Sequence, residues 1–287
     1  KYGSKYLATV SARIDGSSRF GANNKYGFFP AGSVGWILTE EEFLKSSSTL
    51  SLLKLKGSYG LTGNAEIGNF DHLGLYGSAS YGLIPGLVPS QIPNPNLTWE
   101  KTGQLDIGVE FAFFNDRLTG EFDYYNKKTT DLLFNFDAIQ PAPATKYWIN
   151  LDGEVVNKGW EIAINTAVVN KKDLRWNLGV FASFLQNNVT RYVGPTVLTG
   201  ALHGQGTTGA SVQRLTQGQP LNAFFVREFL GLDKTTGNSN YTDNGNTSYF
   251  IGNPNPNTLL GIATDVTYKK MTLTVNMNGA FGHKIYN

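Results

Sequence analysis

The chain has 287 residues, a net charge of +2 and no cysteine. The small charge excludes a general attraction to nucleic acid, and the missing thiols exclude disulfides, thiolate metal sites and cysteine nucleophiles. Charged residues are only 16%, against roughly 25% in soluble domains, while aromatics reach 13% and glycines number 33.

No stretch approaches the ~18 consecutive apolar residues of a membrane-crossing helix, so any structure must come from shorter, alternating segments. "KYLATVSARID" (5–15) sets Val10 and Ile14 against Thr9 and Arg13. "FFPAGSVGWIL" (28–38) is Gly-rich and strand-like, and "TEEEFLKSS" (39–47) reads as one short turn. In "SLLKLKGSYG" (51–60), Leu53, Leu55 and Tyr59 alternate with Lys54, Lys56 and Ser58. A long Gly/Asn/Pro-rich loop over 62–98 follows, carrying Tyr76 and Tyr81.

The segment 99–126 is the most informative. Leu105, Ile107, Val109, Phe111 and Phe113 share one strand face; Gln104, Asp106, Gly108 and Glu110 share the other. A tight turn at Asn115-Asp116 places Phe113 opposite Leu118, Val109 opposite Phe122 and Ile107 opposite Tyr124. The same register sets Glu110 against Glu121, beside Asp123. Facing like charges destabilise a dry strand pair. This face therefore needs water and basic neighbours, which Lys54 and Lys56 supply if their strand lies alongside.

Beyond a loop at 133–157, containing Tyr147, Trp148 and Asp152, two more strands are expected at 159–169 and 174–184. A loop insertion over 188–258 precedes a final hairpin at 261–281, turning at Lys269-Lys270 with Val266 opposite Leu273 and Asp265 opposite Thr274. The count is about nine long strands with short turns at one end and long loops at the other, the construction of an outer-membrane β-barrel. Tyr6, Trp36, Trp99, Phe113 and Tyr268 are candidates for its interfacial aromatic girdle. The same alternation also describes a soluble β-sandwich or barrel whose apolar face turns inward.

"RIDGSSRFGANNKYGFFPAGSVGWILTEEEFL" (13–44), "LKLKGSYGLTGN" (53–64), "NPNLTWEKTGQLDIGVEFAFFNDRLTGEFDYYNKKTTDLL" (94–133), "VNKGWEIAIN" (156–165) and the stretch 251–287 resemble the SusC/RagA family of TonB-linked outer-membrane transporters of Bacteroidetes. That resemblance implies an all-β fold, a sector of an antiparallel transmembrane barrel of about 22 strands with long extracellular loops. The chain would form its middle-to-late region, without the plug domain, the TonB box or the closing strands. The implied activity is import of oligosaccharides or peptides with a SusD-like lipoprotein and the TonB complex, and no enzyme chemistry. Two alternatives are a TonB-dependent receptor for a siderophore or cobalamin, and a soluble β-rich protein for carbohydrate binding or adhesion.

Within that frame Lys54, Lys56, Asp106, Glu110, Glu121 and Asp123 are expected to face the lumen. Tyr76, Tyr81, Tyr147, Trp148 and Asp152 are the loop candidates for substrate contact, aromatics to stack on sugar faces with a carboxylate for hydroxyls. No catalytic set stands out: paired acids suit a hydrated wall as well as a glycosidase cleft. Asp233, Asp243, Asn244 and Asn246 offer oxygen donors among glycines, a calcium candidate that lacks the EF-hand spacing and its terminal Glu.

Overall fold

In a computed structural model of the chain, residues 2–138, 141–144, 146–204 and 209–286 are described. The strands are β1 (Tyr6–Gly16), β2 (Tyr26–Ile37), β3 (Leu50–Asn64), β4 (Leu75–Tyr81), β5 (Ile84–Gln91), β6 (Glu100–Phe113), β7 (Leu118–Asp137), β8 (Lys146–Asn170) and β9 (Leu174–Tyr192). Six short strands follow: β10 (Val197–Ala201), β11 (Ser211–Leu215), β12 (Phe225–Val226), β13 (Phe229–Leu232), β14 (Ser239–Tyr241) and β15 (Tyr249–Phe250). The chain closes with β16 (Thr258–Tyr268) and β17 (Met271–Phe281). Nine of them form one antiparallel sheet in the order β1-β2-β3-β6-β7-β8-β9-β16-β17, and the others pair into two-stranded hairpins and ribbons in the loops.

Within this sheet each strand pairs with the next sheet strand along the chain, as an up-and-down meander requires, with β4–β5 and β10–β15 carried in the connections. The β6–β7 register matches the sequence expectation, with Phe113 opposite Leu118, Val109 opposite Phe122 and Glu110 opposite Glu121. The turn is made by three consecutive left-handed residues, Phe114, Asn115 and Asp116, at φ 55°, 55° and 64°. Asn and Asp tolerate that region because their short polar side chains bond locally. The β16–β17 hairpin turns on Lys269 at φ 54°, with Val266 opposite Leu273 and Asp265 opposite Thr274.

Among the described residues the apolar face has no second layer against it. Val10 is 88% exposed, Val34 66% and Ile107 54%, which overturns the soluble alternative, since a sandwich buries that face. Its outward rows are apolar from Phe113 to Leu105 on β6 and from Leu118 to Tyr124 on β7. Above that level the same rows turn polar, with Asn126 opposite Lys158 and Lys128 next on β7. That band, roughly 25 Å tall, is the span of a bilayer's hydrocarbon. Its rims are aromatic: Tyr6 and Trp36 stack at 6.3 Å at the short-turn end, and Trp160 meets Phe122 and Tyr124 at 4.9 and 4.7 Å near the other.

Trp99 is not part of a girdle. It is 6% exposed, in a cluster with Phe20, Phe29, Ile67 and Leu97 that pins the loops at the long-loop end. It lies just before β6, where the loop from β5 returns, and its indole Nε1–H donates to the Lys25 carbonyl at 3.3 Å. The region 133–157 is also not a loop. β7 and β8 stay paired from Leu118–Thr166 up to Asp137–Lys146, well above the bilayer band. β9 likewise continues to Tyr192, inside the stretch expected to be loop insertion.

Candidate functional site: the polar inner wall

The inward face is set by strand parity. Lys54 stands opposite Glu110, Lys56 opposite Gly108, and Ser58 opposite Asp106. One strand further, Glu110 faces Glu121, and Gly108 faces Asp123, which in turn faces Glu161 on β8. Lys54 Nζ lies 3.1 Å from Glu110. Lys56 Nζ is 2.9 Å from Asp123, 3.3 Å from Glu121 and 3.6 Å from Glu110. The two lysines thus offset the facing carboxylates. Asp106 accepts instead from Ser58 Oγ at 3.3 Å and from Gln104 Nε2 at 2.9 Å. Lys54, Lys56, Asp106 and Asp123, together with Tyr125, Lys127 and Glu161, line a recess of about 700 Å³. All six residues expected on the lumen side meet in this one patch. Its chemistry is that of a polar, net acidic wall, in which Glu110, Glu121 and Asp123 are turned toward lysines and Asp106 toward a hydroxyl and an amide.

Toward β17 the inner wall changes character. Thr119, Asn165, Gly179, Ala263 and Asn276 make one row across five strands. Asn177 donates its amide to Asp265 at 2.9 Å. With Thr274 these residues surround a second recess of about 420 Å³. One inward residue escapes sequence reasoning: Phe181, opposite Ala163 and Gly261, is 45% exposed on this polar face. The signal was present, since Phe181 falls on the parity of Asn177 and Ser183 rather than on that of Val180 and Trp176.

The loop candidates do not converge. Tyr76 sits on β4, 69% exposed, and the Tyr81 side chain lies outside the described residues. Tyr147, Trp148 and Asp152 are strand residues of β8. Trp148 packs against the Phe20–Trp99 cluster and its carbonyl accepts from Asn94 Nδ2 at 2.9 Å, while Asp152 is paired with Arg191 at 2.9 Å. Asp233 Oδ1 accepts from the Thr236 N–H at 2.6 Å, the Thr236 hydroxyl at 2.9 Å and the Thr235 N–H at 2.9 Å. These bonds, the Thr236 backbone first, hold its carboxyl below the usual range. Asp243 and Asn244 occupy left-handed positions in the turn at Thr242–Gly245, and Asp243 accepts from Thr247 at 2.7 Å. Among the described residues no three His, Cys, Asp or Glu side chains gather as metal ligands.

At the short-turn end Glu41 ties the β2–β3 connection to the start of β1. Its carboxylate accepts from Lys5 Nζ at 2.7 Å, Tyr6 Oη at 2.8 Å and Trp36 Nε1 at 3.1 Å. Lys5 above all, then Trp36 and Tyr6, hold the carboxyl down to about 2.

With this geometry in place, comparison with known proteins is specific. The family description "TonB dependent receptor-like, beta-barrel" matches residues 1–280. "TonB-dependent receptor P3" of Formosa agariphila is 32% identical over the whole chain, which spans 31% of that protein. "TonB-dependent receptor SusC" of Bacteroides thetaiotaomicron is 30% identical over 98% of the chain, which spans 30% of it. Among solved structures, one titled "Structure of the RagAB peptide transporter" superposes with a TM-score of 0.82 at 26% identity, covering 96% of this chain and 31% of that one. The chain therefore spans about a third of the length of these relatives.

Proposed function

This chain belongs to the TonB-dependent receptor β-barrel family, and we propose that it forms part of the wall of an outer-membrane importer of oligosaccharides or peptides. The observation that carries the proposal is the division of one sheet between two solvents. The outward rows are apolar and ringed with aromatics, as lipid demands, while the inward rows hold ion-paired charge and amides around open recesses. A wall of that kind is a conduit.

The similarity to a protein named SusC and to one titled a RagAB peptide transporter supports a nutrient polymer as cargo. By the same likeness we infer a SusD-like surface lipoprotein above the long loops and energy delivered by the TonB complex. The test is deletion of the full-length gene in its own host, followed by uptake of labelled oligosaccharides and oligopeptides. Loss of uptake of one of them, restored by the gene and blocked by a protonophore, is the expected result. Unchanged uptake of every such probe sinks the reading. Uptake of an iron chelate or a cobalamin instead redirects it to that cargo.

A further inference from the structure

We propose that the two neighbouring short turns, β8–β9 and β16–β17, form a binding site for the phosphate headgroup of an anionic phospholipid in the periplasmic leaflet. The inference rests on the barrel's place in the membrane and is independent of its cargo. Short turns mark the periplasmic end of such a barrel. Each of these two carries a pair of lysines, Lys171-Lys172 in one and Lys269-Lys270 in the other, all of them exposed.

The backbone holds the two pairs side by side. In the first turn the Lys171 N–H donates to the Leu174 carbonyl at 2.8 Å, and the Leu174 N–H returns to the Lys171 carbonyl at 3.3 Å. The Lys269 N–H donates to the Asp173 carbonyl at 2.8 Å, which stitches the second turn to the first. Lys269 itself is left-handed, at φ 54°. Tight hairpin turns favour Asn, Asp or Gly in that region, and a long side chain is held there at a cost. The most constrained position of the tip is given to a cation.

That cation is on the lipid side. Lys269 Nζ lies 5.3 Å from the centre of the Tyr268 ring, and Tyr268 belongs to the outward row, opposite Leu174 and Met271. One step further into the band, Val266 stands between Trp176 and Leu273. A phosphate held at the lysines would therefore lay its acyl chains along an apolar surface that begins directly at the turns. A lysine stem on such a surface with its ammonium at the water boundary is the usual interfacial arrangement. Strands added at either edge of the sheet would leave these turns and their outward rows in place.

Charge supplies the complement. The two turns and the start of β9 hold Lys171, Lys172, Arg175, Lys269 and Lys270 against Asp173 alone. Among the described residues none of the four lysines is in an ion pair. In the adjacent β6–β7 turn Asp116 is followed by Arg117, whose guanidinium donates to the Ala167 and Val168 carbonyls at 3.3 Å, so that turn adds no net acid. The β2–β3 connection at the same end leans the other way, with Glu40, Glu41 and Glu42 against Lys45 and the bonded Lys5. The basic sector is thus local. Each lysine within a Debye length of anionic headgroups adds to their attraction.

The test uses the full-length barrel purified in detergent and read by native mass spectrometry, with phosphatidylglycerol, phosphatidylcholine and inorganic phosphate as probes. The wild type should retain phosphatidylglycerol over phosphatidylcholine. Lys171→Gln, Lys172→Gln, Lys269→Gln and Lys270→Gln, singly and together, should weaken that preference about two- to fivefold per lysine. Equal retention of the two lipids by the wild type overturns the proposal, as does an unchanged preference in the quadruple variant. Displacement of phosphatidylglycerol by millimolar inorganic phosphate would mark a free-anion site and overturn the lipid assignment. A second measurement needs no variant. Phosphatidylglycerol with a photoreactive group beside its headgroup should crosslink the wild type in vesicles within 169–176 and 266–273, and crosslinks confined to other segments overturn the site.

Discussion

Lys56 reaches Asp123 across an intervening strand, 2.9 Å from ammonium to carboxylate, because the residue between them in register is Gly108. A Cβ at 108 would run into the Asp123 carboxylate and the Lys56 side chain. The glycine is a window through which one cation serves Glu110, Glu121 and Asp123 together. Replacing Lys56 by Met leaves Glu110 with Lys54 and takes the lysine from Glu121 and Asp123, and is expected to cost about 1 kcal/mol, since the bridge is part-exposed and like charges are left facing. Gly108→Ala should close the window and give a similar loss. The double variant should cost clearly less than the sum, because both changes break one bridge. Unfolding of the full-length barrel, followed by its heat-dependent gel mobility, measures all three; strict additivity would mean the window is irrelevant to the bridge.

Glu41 makes the β2–β3 connection acid-resistant. Its carboxyl titrates near 2 in the folded protein, against an ordinary value of 4.5. A carboxyl depressed on folding contributes stability that is fully present above its unfolded value and is lost as pH falls through the folded one. The anchor to Lys5, Tyr6 and Trp36 should therefore hold from neutrality to about pH 4.5 and fade on the way down to about 2. A carbon-detected NMR titration of the Glu41 carboxyl checks this, and a midpoint near 4.5 contradicts it. Glu41→Gln, which loses the charge at every pH, should leave segment 38–49 more open to protease at pH 7.

Trp99 ties the surface loops together. Its ring lies 5.2 Å from that of Phe20 and 5.5 Å from that of Phe29, with Leu97 and Ile67 in the same cluster. Truncation to Ala should cost about 3–5 kcal/mol locally. The expected phenotype is rapid cleavage within 62–98 in limited proteolysis, with the membrane-embedded strands still resistant. Equal protection of the loops in wild type and variant would show that the cluster does not hold them.

The two faces of β8 and β9 should respond oppositely to charge. Ile162 faces outward opposite Phe122 and Ala182, within the apolar band, whereas Asn165 faces inward opposite Thr119. Ile162→Arg is expected to cost about 2–4 kcal/mol of folding into lipid, and Asn165→Arg far less. Refolding of the full-length chain into vesicles, scored by the folded fraction across urea concentrations, separates them. A larger penalty at 165 than at 162 would reverse the assignment of lipid and lumen.

Where lipid and water enforce alternation, the fold was legible from residue types. The β6–β7 register followed from Phe113, Val109 and Phe122 falling on one parity, and the lysine compensation followed from the Glu110–Glu121 clash. Above the bilayer that enforcement ends. Asn126, Lys128 and Lys158 occupy outward positions there, so the alternation disappears although the pairing of β7 with β8 continues. This is why Tyr147, Trp148 and Asp152 read as loop residues and belong to a strand. Trp99 misled for a related reason: an aromatic at a strand end suits a girdle or a loop core equally, and only the contacts of Phe20 and Phe29 decide. Phe181 was overlooked because an aromatic at an inward position does not disturb the alternation of its neighbours.

The strict division of each strand into a lipid row and a lumen row also limits how this gene can drift. A substitution at an inward position such as Asn165 alters the inner wall while the outward rows stay unchanged, so that wall can be altered one codon at a time. Loss or gain of a single codon inside β6 to β9 has the opposite consequence. Every residue beyond it changes face, and the lysines and acids of the wall are delivered to hydrocarbon. Inherited length changes in these strands should therefore come in pairs of residues or be absorbed by a bulge, such as the irregularity between Ala167 and Val169.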